Sequence, residues 1–323
     1  MKKIITFLFF IFLFYPSHFW AQSLNLPFLF KTGYRVNYLY LPEQNSTDVR
    51  YQMQQIQFQS MFSLKSKASL ELANFNFSKM DVGFRQTFLS INAGVRFFDS
   101  NITPEIRTFG NLSLGLTHIR AGIRKGVWLY MANVGTVQDL NSINTIKPFG
   151  IVGVANIGIL GLKKQNIFGV ALAYTQAGRF LPVPIIGLNR QLSNKWDFNL
   201  LLPISLAFNY QWNNKTNIRL RVNPQFFQVN MNNINNRFLP NSDDKTVTLQ
   251  NRQLEINTIL QYKYHKNLRF VIQAGAVIGN QLSLQQNKKI YQKNDFDIFP
   301  QFLAGIHFNL SDGWIGPQML MAD

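Results

Sequence analysis

Few residues in this sequence are of a type that carries chemistry. There is no cysteine, which removes thiol catalysis, disulfides, thiolate metal sites and a lipidated N-terminal cysteine. Beyond residue 21 there are three histidines, His118, His265 and His307. A hydrolytic site needs a histidine beside a serine and a third group to orient it. Ser113 is five residues before His118, an odd offset that puts the two on opposite faces of one strand. No GxSxG is present. Asp243-Asp244, and Asp295 with Asp297, are paired acids of the kind that hold a cation weakly or are simply solvated. His265 lies in a turn signal and no metal-ligand spacing occurs. The sequence predicts no catalytic residue, no metal site and no cofactor.

What remains is basic. Lys and Arg number 32 against 15 Asp and Glu, for a net charge of +17. A basic balance often means nucleic acid, but no basic helix, zinc-finger spacing or aromatic RNA-binding motif accompanies it. Anionic lipid headgroups or lipopolysaccharide phosphates fit better as partners. Several of these side chains fall on the polar faces of alternating stretches: Arg96, Arg219, Arg221, Lys263 and Arg269, with the acid Glu255 nearby. Two readings stay open. Arginines lining an open pore favour anions; arginines paired with Glu255 or loop acids plug a small one.

The elements that must position these residues are strands. WDFNLLLPISLAFNYQW, Trp196–Trp212, alternates strictly, with Trp196, Phe198, Leu200, Leu202, Ile204, Leu206, Phe208, Tyr210 and Trp212 on one face. Read as one strand tilted by about 45°, it spans roughly 40 Å, a bilayer with its headgroups. Its aromatic ends then mark the two interfaces. The same alternation runs through TFLSINAGVRF, NIRLRVN, RQLEINTILQYKY, LRFVIQAGAVI and IFPQFLAGIHFNL. The predicted lipid-facing and girdle residues are Trp196, Phe198, Ile204, Phe208, Tyr210, Trp212, Tyr262, Tyr264 and Phe308. A phase slip at Phe226-Phe227 predicts a bulge. Gly-rich stretches such as GIVGVANIGILG lack the setting of a nucleotide fingerprint and suit curvature or a close lumen contact.

Short turns (193–195, 213–216, 265–267) alternate with long polar loops from 232 and 283. Strands are predicted near 30–42, 50–64, 68–77, 84–97, 109–122, 126–135, 148–162, 166–176, 180–192, 196–212, 217–231, 250–264, 268–282 and 296–310. That makes fourteen, or twelve if 99–148 contributes fewer. Aromatic content is 14% and charged content 15%, and mean hydropathy is near zero. The fold class expected is all-β: a closed, antiparallel, up-and-down transmembrane barrel, since open edges are not tolerated in lipid. Met1-Lys2-Lys3, the apolar run Ile4–Tyr15 and Ala21 predict a secretory signal peptide over 1–21. The barrel then occupies 22–310 and a tail 311–323, with the strand ending near Leu310 descending to the short-turn side.

From Phe180 to Val222 the chain resembles a family of bacterial outer-membrane β-barrels catalogued as domain of unknown function 6268. The resemblance rests on Pro182-Val183-Pro184, Gly187, a Trp-started strand reaching Leu202-Pro203, Tyr210, and the closing FPQFLAGIHFNL. It is good over 180–310 and looser before. The signal, the asparagine richness and the Ala-Gln junction look like the phylum Bacteroidota. The resemblance implies the outer membrane and the barrel fold, and no activity or site residues. Three functions are compatible with this reading: a small porin-like pore or envelope component without catalysis, a membrane-embedded lipid or lipopolysaccharide hydrolase, and a scaffold subunit of a secretion machine.

Overall fold

The computed structural model describes residues 32–71, 81–122, 126–142, 147–159, 164–176, 178–232, 234–235, 238, 247–286 and 289–310. The predicted signal peptide, the tail and Asp243-Asp244 lie outside them. The described residues form one antiparallel sheet of β1 (Gly33–Asn45), β2 (Arg50–Glu71), β3 (Asp81–Ser100), β4 (Arg107–Gly122), β5 (Gly126–Asp139), β6 (Pro148–Ile159), β7 (Lys164–Tyr174), β8 (Phe180–Gln191), β9 (Trp196–Leu202), β10 (Ser205–Gln211), β11 (Thr216–Met231), β12 (Val247–Lys263), β13 (Leu268–Gln286), β14 (Lys289–Phe296) and β15 (Phe299–Asn309). Consecutive strands pair from β1 to β14, and β15, paired with β13, closes the ring onto β1. β13 pairs with β15 over Leu268–Val277 and with β14 over Asn280–Gln286, so β14 and β15 share one stave. The result is a closed barrel of fourteen staves.

The short turns gather at one end: Leu192 N donates to Trp196 O, Trp212 N to Thr216 O and Tyr264 N to Leu268 O. Asn309 N donates to Asn267 O and Leu310 N to Thr32 O, so both ends of the described barrel lie there too. Strand height is uneven. β2, β3 and β13 have 22, 20 and 19 residues, whereas β6 to β8 have 11 or 12 and β9 and β10 have 7 each. The tall side rises past the low side and folds over it, bringing the upper part of β11 against β5.

Alternation inverts at the height where the tall strands leave the belt. Low on β2, Ile56 and Phe58 are exposed and Gln55 and Gln57 face inward; above, Tyr51 and Met53 are the buried residues and Gln52 faces out. A membrane belt wants apolar outside, and a cap standing in water wants apolar inside. The cap core contains Leu41, Phe98, Phe109, Val229, Leu249, Leu284 and Phe296, among others.

The seventeen-residue alternation is two strands, not one. Trp196–Leu202 turns at Pro203 into Ser205–Gln211, with Ile204 N donating to Leu201 O at 2.7 Å and the Leu202–Pro203 bond cis. Partners share parity (Leu206 with Leu200, Phe208 with Phe198, Tyr210 with Trp196), so the outward row continues through the hairpin as though the chain had never turned. Trp196 and Trp212 therefore lie at the same interface, and Trp196 and Tyr210 meet at 4.6 Å. Ile204, expected in lipid, is 8% exposed and packs into an interior cluster with Val183, Ile185, Ala171 and Phe226. The two strands expected at 50–64 and 68–77 are in turn one strand, β2, to Glu71; residues 72–80 are outside the described set. No bulge occurs at Phe226-Phe227, where the β11–β12 register is unbroken. Phe227 faces inward onto Phe109, and Phe226 faces outward but is covered by the overlapping low wall.

The short hairpin leaves a notch. β9 ends opposite Ile186, so Phe180–Ile185 of β8 have no strand on that side; β10 ends opposite Val222, so β11 beyond it has none either. Arg179 O accepts from Thr175 N, toward β7, and Leu192 N donates toward β9. Backbone groups alternate sides along a strand, and the register is unbroken, so even-numbered residues of β8 turn theirs toward the notch. Those include Pro182 and Pro184. On β11, Thr216 O accepts from Trp212 N, so even-numbered residues again face β10. The first even residue past its end is Pro224. Three rim positions whose N–H would point into an apolar gap have none.

Candidate functional site: the barrel interior

The interior has a polar side and an apolar side. Apolar inward residues gather on β5 to β9: Val127, Leu129, Met131, Ala155, Ile167, Ala171, Val183, Ile185 and Leu201, all buried. Asparagine, glutamine and arginine line most of β10 to β15 and β1 to β4 and reach onto β5 and β9 at Asn133 and Asn199. A recurring device shapes it: inward asparagine opposite glycine. Asn37 pairs with Gly305, Asn257 with Gly275, Asn111 with Gly94 and Asn133 with Gly115. A Cβ at Gly275 or Gly305 would collide with the partner's Oδ1, so each amide lies flat over its neighbour. This is the close lumen contact expected of strand glycines.

At mid-height these side chains form a waist. Glu255 accepts from Gln253 Nε2 (2.9 Å), Asn257 Nδ2 (3.1 Å) and Asn223 Nδ2 (3.3 Å). Asn257 Oδ1 accepts in turn from Gln301 Nε2. Asn257 and Gln301 are 0% exposed and Glu255 5%. Arg221 donates to Gln273 Oε1 (3.3 Å). Arg96 donates to Gln55 Oε1 (2.9 Å) and lies 3.9 Å over the Phe227 ring. Both arginines interact electrostatically with Glu255. The sequence reading that had arginines pairing with Glu255 needs correcting in detail, because the carboxylate is held by three amides and no arginine contacts it among the described ion pairs. Above, Tyr51 Oη accepts from Asn280 and Asn251 and closes the waist against the cap. At the rim, buried Arg107 sits 3.5 Å from Asp139 and donates to Asn232 O.

Between the waist and the short turns the inward side chains are mainly basic. Arg269 and Lys263 face each other across β13–β12. Arg219 donates to Asn209 Oδ1 and interacts with Arg221, Arg35, Arg269 and one acid, Asp197. Arg35 was missed from sequence. Its signal is the alternation of Tyr34, Val36 and Tyr38 with Arg35 and Asn37, a pattern that sets it inward beside His307.

On the outside, Trp196, Phe208, Trp212, Tyr262, Tyr264 and Phe308 are exposed; Phe198 and Tyr210 are half-buried against each other's neighbours, Phe198 on Phe208 at 4.9 Å. Ser113 points inward, bonded to Asn92, while His118 faces out. The hydroxyl beside His118 is Thr87, 2.9 Å away, with Tyr130 as ring neighbour. Asp295 pairs with Lys293 at 3.5 Å. Among the described residues no group of three metal-ligating side chains occurs.

The profile of the DUF6268 family, a domain of unknown function, matches residues 18–310. The chain belongs to that family. No curated protein matches it. Among solved structures it is similar to an outer membrane channel from Pseudomonas putida F1 (6% identity, TM-score 0.40, covering 92% of this chain and 99% of that one). It is also similar to the transport unit of the autotransporter AIDA-I from Escherichia coli (8%, 0.38, 90% and 93%) and to the β domain of the Bordetella autotransporter BrkA (7%, 0.33, 87% and 100%). At such identities the likeness says nothing of activity. This DUF6268 barrel must be read from its own interior.

Proposed function

We propose that this DUF6268 protein is a non-catalytic outer-membrane barrel that keeps its passage closed, with short turns toward the periplasm. In this reading the basic side chains below the waist, Arg35, Arg219, Lys263 and Arg269, line a vestibule on that side that ends at the waist. The observation that carries the reading is the water-inaccessible Glu255–Asn257–Gln301 network beneath an apolar cap. Porins of open type keep a polar, water-filled lumen throughout; here inward residues turn apolar above the waist. The outward rows of exposed Leu, Val, Phe and Tyr, from Tyr34 to Phe308, support a membrane setting.

The test is conductance. Purified protein in a planar bilayer should be electrically silent, while Asn257→Ala with Gln301→Ala should produce steps. Stepwise conductance by the unaltered chain would overturn the closed reading.

A further inference from the structure

Three neighbouring strands bring like charges together. Arg35 on β1 is opposite His307 on β15, and His307 is opposite Arg269 on β13, all facing inward. Strands are spaced by about 4.8 Å, so the two arginine Cα atoms are about 10 Å apart, near enough for both guanidinium groups to grasp one small anion. Arg219 adds a third cation from β11, two strands beyond β13. His307 Nε2 is 3.2 Å from Asn37 Oδ1, which holds the ring between the two arginines. Arg35 and Arg269 make no hydrogen bond or ion pair with a described residue, and Arg219 is repelled by Arg221, Arg35 and Arg269 and attracted by Asp197. Charges of one sign gathered in a recess repel each other and destabilise the barrel unless something neutralises them.

We propose that Arg35, Arg269 and Arg219 form a seat for a phosphate-type oxyanion in the vestibule. Planar guanidinium groups match tetrahedral oxyanions through paired N–H donors. The anion is either free phosphate or the headgroup of a phospholipid or lipopolysaccharide. The seat rests on the vestibule admitting water, not on the waist being closed, so a conducting barrel would leave it standing.

The experiment compares the full-length protein in detergent with Arg35→Gln, Arg269→Gln and the double variant. Thermal unfolding is followed in low-salt buffer with and without millimolar inorganic phosphate. Without phosphate, the variants should be as stable as the unaltered chain or more so, because repulsion is relieved. With phosphate the order should reverse, and calorimetric phosphate affinity should fall about tenfold or more per arginine. Arginines that merely hold structure would destabilise in both buffers, and that result overturns the proposal. Phosphorus NMR of protein extracted from outer membranes separates the sources. A retained lipid phosphate lost in the double variant identifies a headgroup. An empty protein that takes up inorganic phosphate identifies the free anion. Neither bound lipid phosphate nor phosphate uptake would refute the seat.

Discussion

Replacing Pro184 by alanine tests the notch. Pro184 lies in the apolar belt, opposite Val170 (52% exposed) and two residues from Ile186 (43%). Its nitrogen points past the end of β9, so alanine would place an N–H there with no carbonyl to meet it. A buried unpartnered donor costs about 1–3 kcal/mol, more in a hydrocarbon setting. Loss of the proline's restraint on the unfolded chain adds about 0.4–1 kcal/mol. The sum is about 2–4 kcal/mol of destabilisation. The assay is equilibrium urea unfolding from phosphatidylcholine vesicles, followed by tryptophan fluorescence, with the slope required to stay constant. A loss below about 1 kcal/mol is what the chain-entropy effect alone supplies, and it would show that the edge is covered or that its parity is misassigned.

Other substitutions probe the remaining layers. Leu114→Arg, at a 47% exposed outward position of β4, should cost roughly 2–4 kcal/mol if it faces lipid and should abolish the faster gel migration of unheated protein; unchanged migration refutes the belt. Phe226→Ala should cost about 3–5 kcal/mol, far more than Phe208→Ala on the exposed row, and equal losses would deny the overlap of β11 with the low wall. Arg107→Met should cost about 3–5 kcal/mol by leaving buried Asp139 without its cation, and Arg107→Met with Asp139→Leu should recover most of it; no recovery in urea unfolding would exclude the ion pair as the cause.

Alternation revealed the fold but could not mark the turn at Pro203. Fourteen staves were expected and fourteen exist, yet two assignments compensate: Trp196–Trp212 is two strands where one was expected, and Arg50–Glu71 is one where two were expected. The first error has a physical origin. Paired residues across a hairpin share parity when the turn is centred on a residue, as it is on Pro203, so period two survives a full reversal of direction. Pro203 was visible, but a proline is also tolerated at a strand edge. The inward placement of Arg96, Arg219, Arg221 and Glu255 was legible from parity alone. Their partners were not, because Gln55 with Arg96 and Gln273 with Arg221 meet across sequence separations of 41 and 52 residues. Arg35 and His307 are 272 positions apart, and only ring closure brings them side by side.

The proposed sealing of this barrel follows from the unequal strand heights. Were all staves as short as β6 to β8, every inward residue would stay within the belt and a polar lumen would suffice. Because β2, β3, β12 and β13 run on beyond the outward apolar rows, their upper halves carry the apolar residues on the inward face. Once Tyr51, Phe98, Val229, Leu249 and Leu284 point inward, they condense into a core, and condensation draws β11 across to β5. That packing sets the low wall outside β11 and covers Phe226 from the side, while the short β9–β10 hairpin leaves the notch that Pro182, Pro184 and Pro224 line. Closed cap, overlapped wall and proline-edged notch are thus consequences of one inequality in strand length, and lengthening the β9–β10 hairpin by one matched pair of residues should shrink the notch and lower the cost of Pro184→Ala toward the entropic term alone.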